Sequence, residues 1–180
     1  MASGDAPRSI AIAHCMGSRD VNHQEHCSRI CCMAALKFSH LIKEQLPDCQ
    51  VTQFYIDMRC FGKGYEEFYR RIQDEGVRFV RGKVVEVTDR VDNEDIDTQY
   101  AVLAEDTMLN KLIQVPADMV VSMSALVPRA GAGDFARILK CSRSPDGFLL
   151  EKHLKLAPTE IALDGIYIAG ACQGPKDIPD

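Results

Sequence analysis

The stretch 9–45, SIAIAHCMGSRDVNHQEHCSRICCMAALKFSHLIKEQ, contains the pattern that decides the fold. Its first part, residues 9–15, is a short apolar run that predicts a buried β-strand, and the turn-forming residues 17–20 end that strand. A polar loop over 21–26 leads to a predicted helix from about 28 to 45, where apolar residues recur at helical spacing. The stretch is therefore predicted to be a strand–loop–helix unit.

The alternation of strand and helix continues beyond this unit. Residues 51–57 are β-branched and aromatic and predict a central strand, and a second helix is predicted to begin at Gly64 and end at Gly76. A further strand follows at 77–80. Because parallel strands are joined by right-handed crossovers, this order predicts an α/β domain with a Rossmann-like parallel sheet.

The pattern changes after the predicted parallel sheet. Three short β-compatible runs predict a small antiparallel meander, and they cover 83–88, 100–104 and 112–115. The acidic turn at 89–98 is interpreted as a solvated hairpin loop rather than as a metal site. Strand character returns at 118–123, a short helix is predicted at 134–139, and residues 164–170 predict one more buried strand.

Size and composition limit the classes of protein to consider. The chain has 180 residues, 46% of them hydrophobic, which suits one domain or a domain with part of a neighbour attached. With 26% charged residues and no long apolar run, the sequence predicts a soluble, cytoplasmic protein without direct membrane insertion. The net charge of -5 and the scattered Lys and Arg residues argue against nucleic-acid binding.

Four of the eight cysteines crowd the first strand–loop–helix unit, and they are Cys15, Cys27, Cys31 and Cys32. Because no secretion signal precedes them, reduced thiols are a better starting assumption than disulfides. Cys15 ends the predicted strand and the other three lie where the next helix begins, two places that are neighbours in such a unit. A helix N-terminus stabilises negative charge, which suits a 4Fe-4S cluster bound by thiolates.

The spacing of these cysteines leaves other interpretations open. The pattern Cys-x11-Cys-x3-Cys-Cys differs from the ferredoxin run and from the paired Cys-x2-Cys of zinc fingers. We expect the two adjacent side chains to diverge, which suits a bulky cluster better than a single ion. A structural zinc, a reactive dithiol and buried thiols without a ligand are the alternatives. His14, His23 and His26 could each replace a ligand, although loop histidines are more commonly solvated.

Several segments of the chain resemble the A subunits of heterodisulfide reductases and their relatives, including those of quinone-interacting membrane-bound oxidoreductases. The segments are 15–20 (CMGSRD), 27–37 (CSRICCMAALK), 54–59 (FYIDMR), 61–69 (FGKGYEEFY), 126–128 (LVP) and 170–179 (GACQGPKDIP). The resemblance implies a thioredoxin-reductase-like flavoprotein with two dinucleotide-binding domains. In that family an inserted domain carries a 4Fe-4S cluster where NAD(P)H would otherwise bind, and Cys15, Cys27, Cys31 and Cys32 match its ligands.

The resemblance also implies a division of the chain and a set of flavin contacts. Residues 1–8 are interpreted as a leader or linker, 9–123 as the inserted NAD-domain-like module, and 124–180 as the truncated C-terminal part of a split FAD-binding domain. The absence of Gly-x-Gly-x-x-Gly after the first strand agrees with a replaced dinucleotide site. Lys37 matches a lysine expected near the flavin ring. The residues that match the flavin-facing segment are Gly170, Ala171, Gln173, Gly174 and Lys176.

From these features we expect an electron-transfer fragment of an oxidoreductase, with no catalytic residues of its own. Its cluster would exchange electrons with FAD and with partner iron-sulfur subunits, and a homodimer is left open. Because the N-terminal half of the FAD domain and its glycine-rich loop are missing, we expect the chain to bind FAD weakly or not at all and to be inactive alone. The alternatives are a zinc-stabilised protein-interaction domain and a thiol–disulfide redox sensor.

Overall fold

A computed structural model describes residues 4–89 and 98–178 of the chain. In chain order the strands are β1 (Ser9–Met16), β2 (Gln50–Tyr55), β3 (Arg78–Arg81), β4 (Val84–Thr88), β5 (Tyr100–Asp106), β6 (Lys111–Ala117) and β7 (Met119–Ser124). The helices are α1 (Cys31–Gln45), α2 (Tyr65–Asp74), α3 (Ala132–Ile138) and a 3-10 helix at Gly170–Cys172. The acidic turn interpreted as a hairpin loop falls mostly on residues 90–97, and these lie outside the described residues, as does Pro179. Within the described ranges, no helix has the length and apolar character needed to cross a bilayer.

The chain divides into two compact units. The first comprises residues 1–16 and 31–124, and the second comprises residues 17–30 and 125–180. The division predicted from the sequence kept the loop 17–30 inside the module 9–123, whereas in the structure this loop clusters with the C-terminal part of the chain.

The first unit is built on a parallel sheet with the strand order β3-β2-β1-β7. Strand β1 is central and pairs in parallel with β2 on one side and with β7 on the other. Buried Ile12 and Val51 of the central strands share a hydrophobic cluster with Ala35 and Leu36 of α1 and with Ile72 of α2. Burial of this apolar surface stabilises the arrangement of sheet and helices. The predicted α/β fold with a Rossmann-like sheet is confirmed.

Strands β4, β5 and β6 form a separate antiparallel sheet in the same unit, as the three short runs predict. Val102 and Ala104 of β5 are buried and share a second hydrophobic cluster with Phe54 of β2 and Val80 of β3. The meander therefore packs on the parallel sheet and is part of the core of the first unit.

The ends of the helices follow from backbone conformation. Helix α1 begins at Cys31 rather than near Ser28, because Arg29 has a left-handed backbone with φ 60° that cannot continue a right-handed helix. Helix α2 lies between two glycines, as predicted. Gly64 precedes it with φ 81° and Gly76 follows it with φ 79°, a region that glycine occupies without steric cost.

The second unit contains no strand at 164–170, so that prediction is wrong. Tyr167 forms one isolated bridge with Glu160, and the amide of Ile168 donates to the carbonyl of Thr159 at 2.8 Å. The apolar pattern of this segment reflects burial rather than pairing, since Ile168 joins a small core while the bridge does not extend into a ladder. The buried residues of that core are Ala136, Leu149, Ile161 and Ile168.

Candidate metal centre

Cys15 lies near the end of β1, where the strand is irregular. The pairing between β1 and β7 changes register between Ala13 and Met16. The backbone of Cys15 is left-handed, with φ 57°, a conformation that residues other than glycine adopt rarely. Irregularities of this kind re-aim a side chain and are common beside functional sites. The alternation of a regular strand therefore does not determine where the buried Cys15 thiol points.

Cys31 and Cys32 are the first two residues of α1, and both are buried in the core of the first unit. The first turn of a helix has backbone N–H groups without partners inside the helix. The Cys32 thiol lies 3.8 Å from the carbonyl of Asp57, to which it can donate. The Cys31 side chain forms a hydrogen bond with that of Cys32. The expectation that the two adjacent side chains diverge is therefore wrong.

The pKa of the Cys32 thiol is lowered to about 4. The largest cause is the hydrogen bond with Cys31, while burial acts in the opposite direction. The imidazole of His14 and the backbone of Arg59 lower the pKa further. Cys32 is consequently a thiolate at neutral pH, which is the form of cysteine that binds metals.

Two other cysteines of the first unit are in the opposite protonation state. Burial raises the pKa of the Cys49 thiol. Burial, together with the negative charges of Cys32 and Glu66, raises the pKa of Cys60 to about 11. Both are protonated at neutral pH and therefore poor metal ligands. Electrostatics thus separates Cys32 from the dispersed cysteines, in the same way as their spacing in the sequence does.

Cys27 belongs to the second unit. Its sulfur accepts a hydrogen bond from the backbone amide of Arg29 at 3.3 Å. The neighbouring Ser28 is fully buried, and its hydroxyl accepts a hydrogen bond from the amide of Leu126 at 2.8 Å. The imidazole Nε2 of His26 donates to the carbonyl of the same Leu126 at 2.8 Å. These contacts hold the segment around Cys27 against Leu126 within the unit.

The three histidines considered as substitute ligands differ in their surroundings. His23 is exposed beside Asp20, so its interpretation as a solvated histidine is confirmed. His14 is only 3% exposed and lies within β1, so the same interpretation is wrong there. Its Nε2 lies 2.8 Å from Oε1 of Gln53 in β2. Sequence reasoning missed Gln53, although a glutamine inside an otherwise β-branched and aromatic strand is a signal of a buried polar contact.

The part of the chain covered by residues 4–89 and 98–178 contains no group of three or more His, Cys, Asp or Glu side chains that could hold a metal ion. The structure does bring Cys31 and Cys32 into hydrogen-bond contact at the start of α1. The convergence of all four cysteines named from the sequence stays a prediction.

Lys37 and the C-terminal residues matched to flavin contacts occupy different environments. Lys37 is exposed on α1 and makes no hydrogen bond or ion pair with other described residues. Gly170 begins the 3-10 helix of the second unit. The side-chain amide of Gln173 donates to the carbonyl of Pro158, and the ammonium of Lys176 donates to Oε1 of Gln173 at 2.6 Å. Gln173 therefore ties the end of the described chain to an earlier loop.

A cavity of about 860 Å³ lies in the second unit. Its lining is mainly apolar and includes Val127, Phe135, Phe148, Tyr167 and Ala171. Among the described residues matched to the flavin-facing segment, Ala171 is the one that contributes to this lining. The volume is in the range of small-molecule and cofactor sites.

The fold defines a class of protein, the thioredoxin reductase-like FAD/NAD-binding folds. The chain is similar to T. acidophilum thioredoxin reductase with a TM-score of 0.56 and 15% sequence identity, over 97% of this chain and 46% of that chain. It is similar to Lactococcus lactis thioredoxin reductase in its FR conformation with a TM-score of 0.55 and 14% identity, over 95% of this chain and 46% of that chain. At these identities the likeness concerns the fold alone.

Sequence similarity identifies a particular protein within that class, although no known family profile matches the chain. The chain is 46% identical over 179 residues to one of the iron-sulfur A subunits of the CoB--CoM heterodisulfide reductase of Methanopyrus kandleri. It is also 46% identical over 179 residues to its counterpart among the A subunits of H(2):CoB-CoM heterodisulfide,ferredoxin reductases, that of Methanothermobacter marburgensis. Each alignment covers 98% of this chain and 26% of the relative, so the chain spans about a quarter of the length of the curated relatives it matches. Its homologues are heterodisulfide reductase A subunits, which confirms the resemblance.

Proposed function

We propose that this chain is an electron-transfer part of an oxidoreductase of the kind formed by heterodisulfide reductase A subunits, in which Cys15, Cys27, Cys31 and Cys32 hold a 4Fe-4S cluster. The observation that carries the proposal is the buried thiolate of Cys32 in contact with Cys31 at the start of α1. The name of the Methanopyrus kandleri relative, an iron-sulfur subunit, supports it. A bound cluster supplies one-electron transfer, here with FAD and partner iron-sulfur subunits of the longer protein.

The residues present suit such a group. The first unit provides the Cys32 thiolate, the adjacent Cys31 and the buried Cys15 beside a bulge. The unpaired N–H groups of the first turn of α1 would stabilise the negative charge of a cluster with four thiolate ligands. Cys27 enters the proposed ligand set from its sequence position just before α1 and from the family resemblance.

Further parts of the proposal concern the two ends of the electron path. The parallel sheet without a glycine-rich loop after β1 supports an NAD-domain-like module over residues 9–123 that carries the cluster. The apolar cavity in the second unit supports an FAD-binding role for residues 124–180. The flavin contacts proposed from the resemblance are Lys37, Gly170, Ala171, Gln173, Gly174 and Lys176. A cytoplasmic location, assembly with other subunits and a homodimer stay predictions.

Anaerobic reconstitution with iron and sulfide tests the proposed cluster. We expect about four iron and four labile sulfide atoms per chain and an electron paramagnetic resonance signal after reduction. The double variant Cys31→Ser/Cys32→Ser should lose this iron, whereas Cys172→Ser, which changes an exposed thiol outside the proposed set, should retain it. Equal iron content in the wild type and the double variant would contradict the ligand assignment. One zinc per chain without labile sulfide would support a zinc-stabilised domain instead.

A thiol–disulfide redox site is the second candidate function, and one observation favours it. Cys31 and Cys32 are adjacent and hydrogen-bonded, and a thiolate is the reactive form of cysteine. Thiol labelling after anaerobic purification separates the two candidates. Cysteines bound to a cluster should react slowly until the cluster is removed by a chelator, whereas a free dithiol should react at once and form a disulfide on mild oxidation.

A further inference from the structure

A chain of buried polar side chains connects α1, β2 and β1 in the first unit. The side-chain amide Nε2 of Gln53 donates to Oγ of Ser39 at 2.7 Å and to the carbonyl of Ala35 at 3.3 Å. Oε1 of Gln53 lies 2.8 Å from Nε2 of His14. Gln53 and Ser39 are 0% exposed and His14 is 3% exposed. Because buried polar groups are costly when unpaired, these contacts hold the side chains in one arrangement.

The carbonyl of Ala35 determines the direction of the hydrogen bonds. A carbonyl can only accept, so the atom of Gln53 that faces it is the NH₂ group, and Oε1 must face His14. Oε1 also only accepts, so the hydrogen in that contact is on Nε2 of His14. The other ring nitrogen, Nδ1, is buried, and it has no hydrogen-bond partner in the described part of the chain.

The His14 ring also acts on Cys32. The imidazole is close enough to the sulfur to lower the pKa of the Cys32 thiol, although Nδ1 does not meet the geometry of a formed hydrogen bond. Since Nε2 is occupied by Gln53, Nδ1 is the ring nitrogen available to that sulfur. An unpartnered buried nitrogen thus belongs to a ring that lies beside a proposed cluster ligand.

We propose that Gln53 and Ser39 are positioning residues that hold Nδ1 of His14 against the sulfur of Cys32, an inference that rests on the proposed cluster. His14 would touch the ligand, Gln53 would orient His14, and Ser39 would orient Gln53. Groups that contact metal ligands from outside commonly set ligand orientation, and polar contacts to cluster sulfurs tune the potential. The buried chain therefore extends the site from four cysteines to the core between β1, β2 and α1.

The first test needs no cluster. In protein with ¹⁵N-labelled histidine, long-range proton–nitrogen NMR correlations identify which nitrogen of His14 carries the hydrogen, with His14→Leu assigning the signal. We expect a hydrogen on Nε2 that exchanges slowly with water, and loss of this protection in Gln53→Met. A hydrogen on Nδ1 with none on Nε2 would overturn the proposal.

The second test uses the reconstituted cluster in the same labelled protein. Pulsed electron paramagnetic resonance of the reduced cluster should detect a weakly coupled histidine nitrogen that is lost in His14→Leu and reduced in Gln53→Met and Ser39→Ala. The control Thr52→Val changes a neighbouring buried position of β2 and should leave the coupling unchanged. Ser39→Ala removes only a hydroxyl, so it keeps the test decisive if Gln53→Met does not fold.

The two tests distinguish failure of the inference from failure of the proposed function. If the wild type forms a cluster and the nitrogen coupling is the same in Gln53→Met, Ser39→Ala and the wild type, the positioning role is wrong and the cluster stands. If the wild type forms no cluster, the proposed function is wrong, and this inference falls with it.

Discussion

At the scale of residues, Cys32 differs from the other buried thiols through its neighbours rather than through its burial. Burial alone raises the pKa of a thiol, as it does at Cys49 and Cys60. At Cys32 the hydrogen bond with Cys31 and the contact with His14 outweigh this effect. The side chain best prepared to bind a metal is therefore selected by two contacts, one from its sequence neighbour and one from β1.

Glu75 provides a residue-scale prediction about pH. Burial raises the pKa of its carboxyl, but hydrogen bonds from His40 and Arg71 outweigh burial and lower it overall. A carboxyl whose pKa is lower in the folded than in the unfolded state stabilises the fold above its unfolded value of about 4.3, and this contribution is lost as pH falls through the folded pKa.

Glu75→Gln should therefore destabilise the protein by about 1 kcal/mol at pH 7, a value discounted for partial exposure. The difference from the wild type should shrink as pH falls below about 4. Urea unfolding at several pH values measures it, and Glu67→Gln, an exposed position on α2, is the matched control. A difference that grows on acidification would contradict the ion-pair interpretation.

At the scale of elements, α1 carries both the candidate site and part of its support. Its first turn contains Cys31 and Cys32, and its middle provides Ser39 for the buried polar chain. At its end the ammonium of Lys43 donates to the carbonyls of Pro47 and Cys49, at 3.3 and 2.8 Å. A cation at this end also suits the negative end of the helix dipole. Both ends of the helix are therefore stabilised by contacts outside its own backbone.

The junction between β3 and β4 provides an element-scale prediction. A Cβ atom added at Gly82 would overlap the backbone carbonyl of Glu105, and the Gly82 amide donates to the carbonyl of Tyr55 at 2.8 Å. Neither backbone can move without disturbing a sheet, so Gly82→Ala should cost more than about 3 kcal/mol or prevent folding.

Gly64→Ala is the control for Gly82→Ala, because its added Cβ meets nothing within 4 Å and only the left-handed backbone is strained. Its expected cost is about 1 kcal/mol. Chemical denaturation of both variants measures the two free energies of unfolding. Equal losses would show that steric overlap at Gly82 is not the determining factor.

At the scale of the whole molecule, the proposed ligands come from three separate stretches of chain: the end of β1, the loop 17–30 and the start of α1. A cluster bound only by the folded protein stabilises it by mass action, and it restrains the chain between its ligands. Reconstitution should therefore raise the midpoint of thermal unfolding by several degrees.

Anaerobic calorimetry measures this shift, and removal of iron by a chelator should reverse it. Cys15→Ser should abolish the increase, whereas Cys172→Ser should preserve it. A rise of equal size in both variants would contradict the role of Cys15 as a ligand.

The sequence alone predicted the parallel sheet, the meander and the two glycines that flank α2, because alternation, apolar periodicity and glycine conformation are local properties. It was wrong about the strand at 164–170, since pairing requires a neighbouring strand that local pattern cannot reveal. It also began α1 too early, because it did not show the left-handed backbone at Arg29.

By itself the sequence determined the class of fold and the grouping of Cys15, Cys27, Cys31 and Cys32, because these depend on residue type and spacing along the chain. Only the tertiary structure decided that His14 is buried against Gln53, that Cys32 is the thiolate, and that Cys49 and Cys60 are protonated. Protonation and hydrogen bonding depend on which groups meet in space and on how far they are removed from water. Those meetings join residues that are distant along the chain.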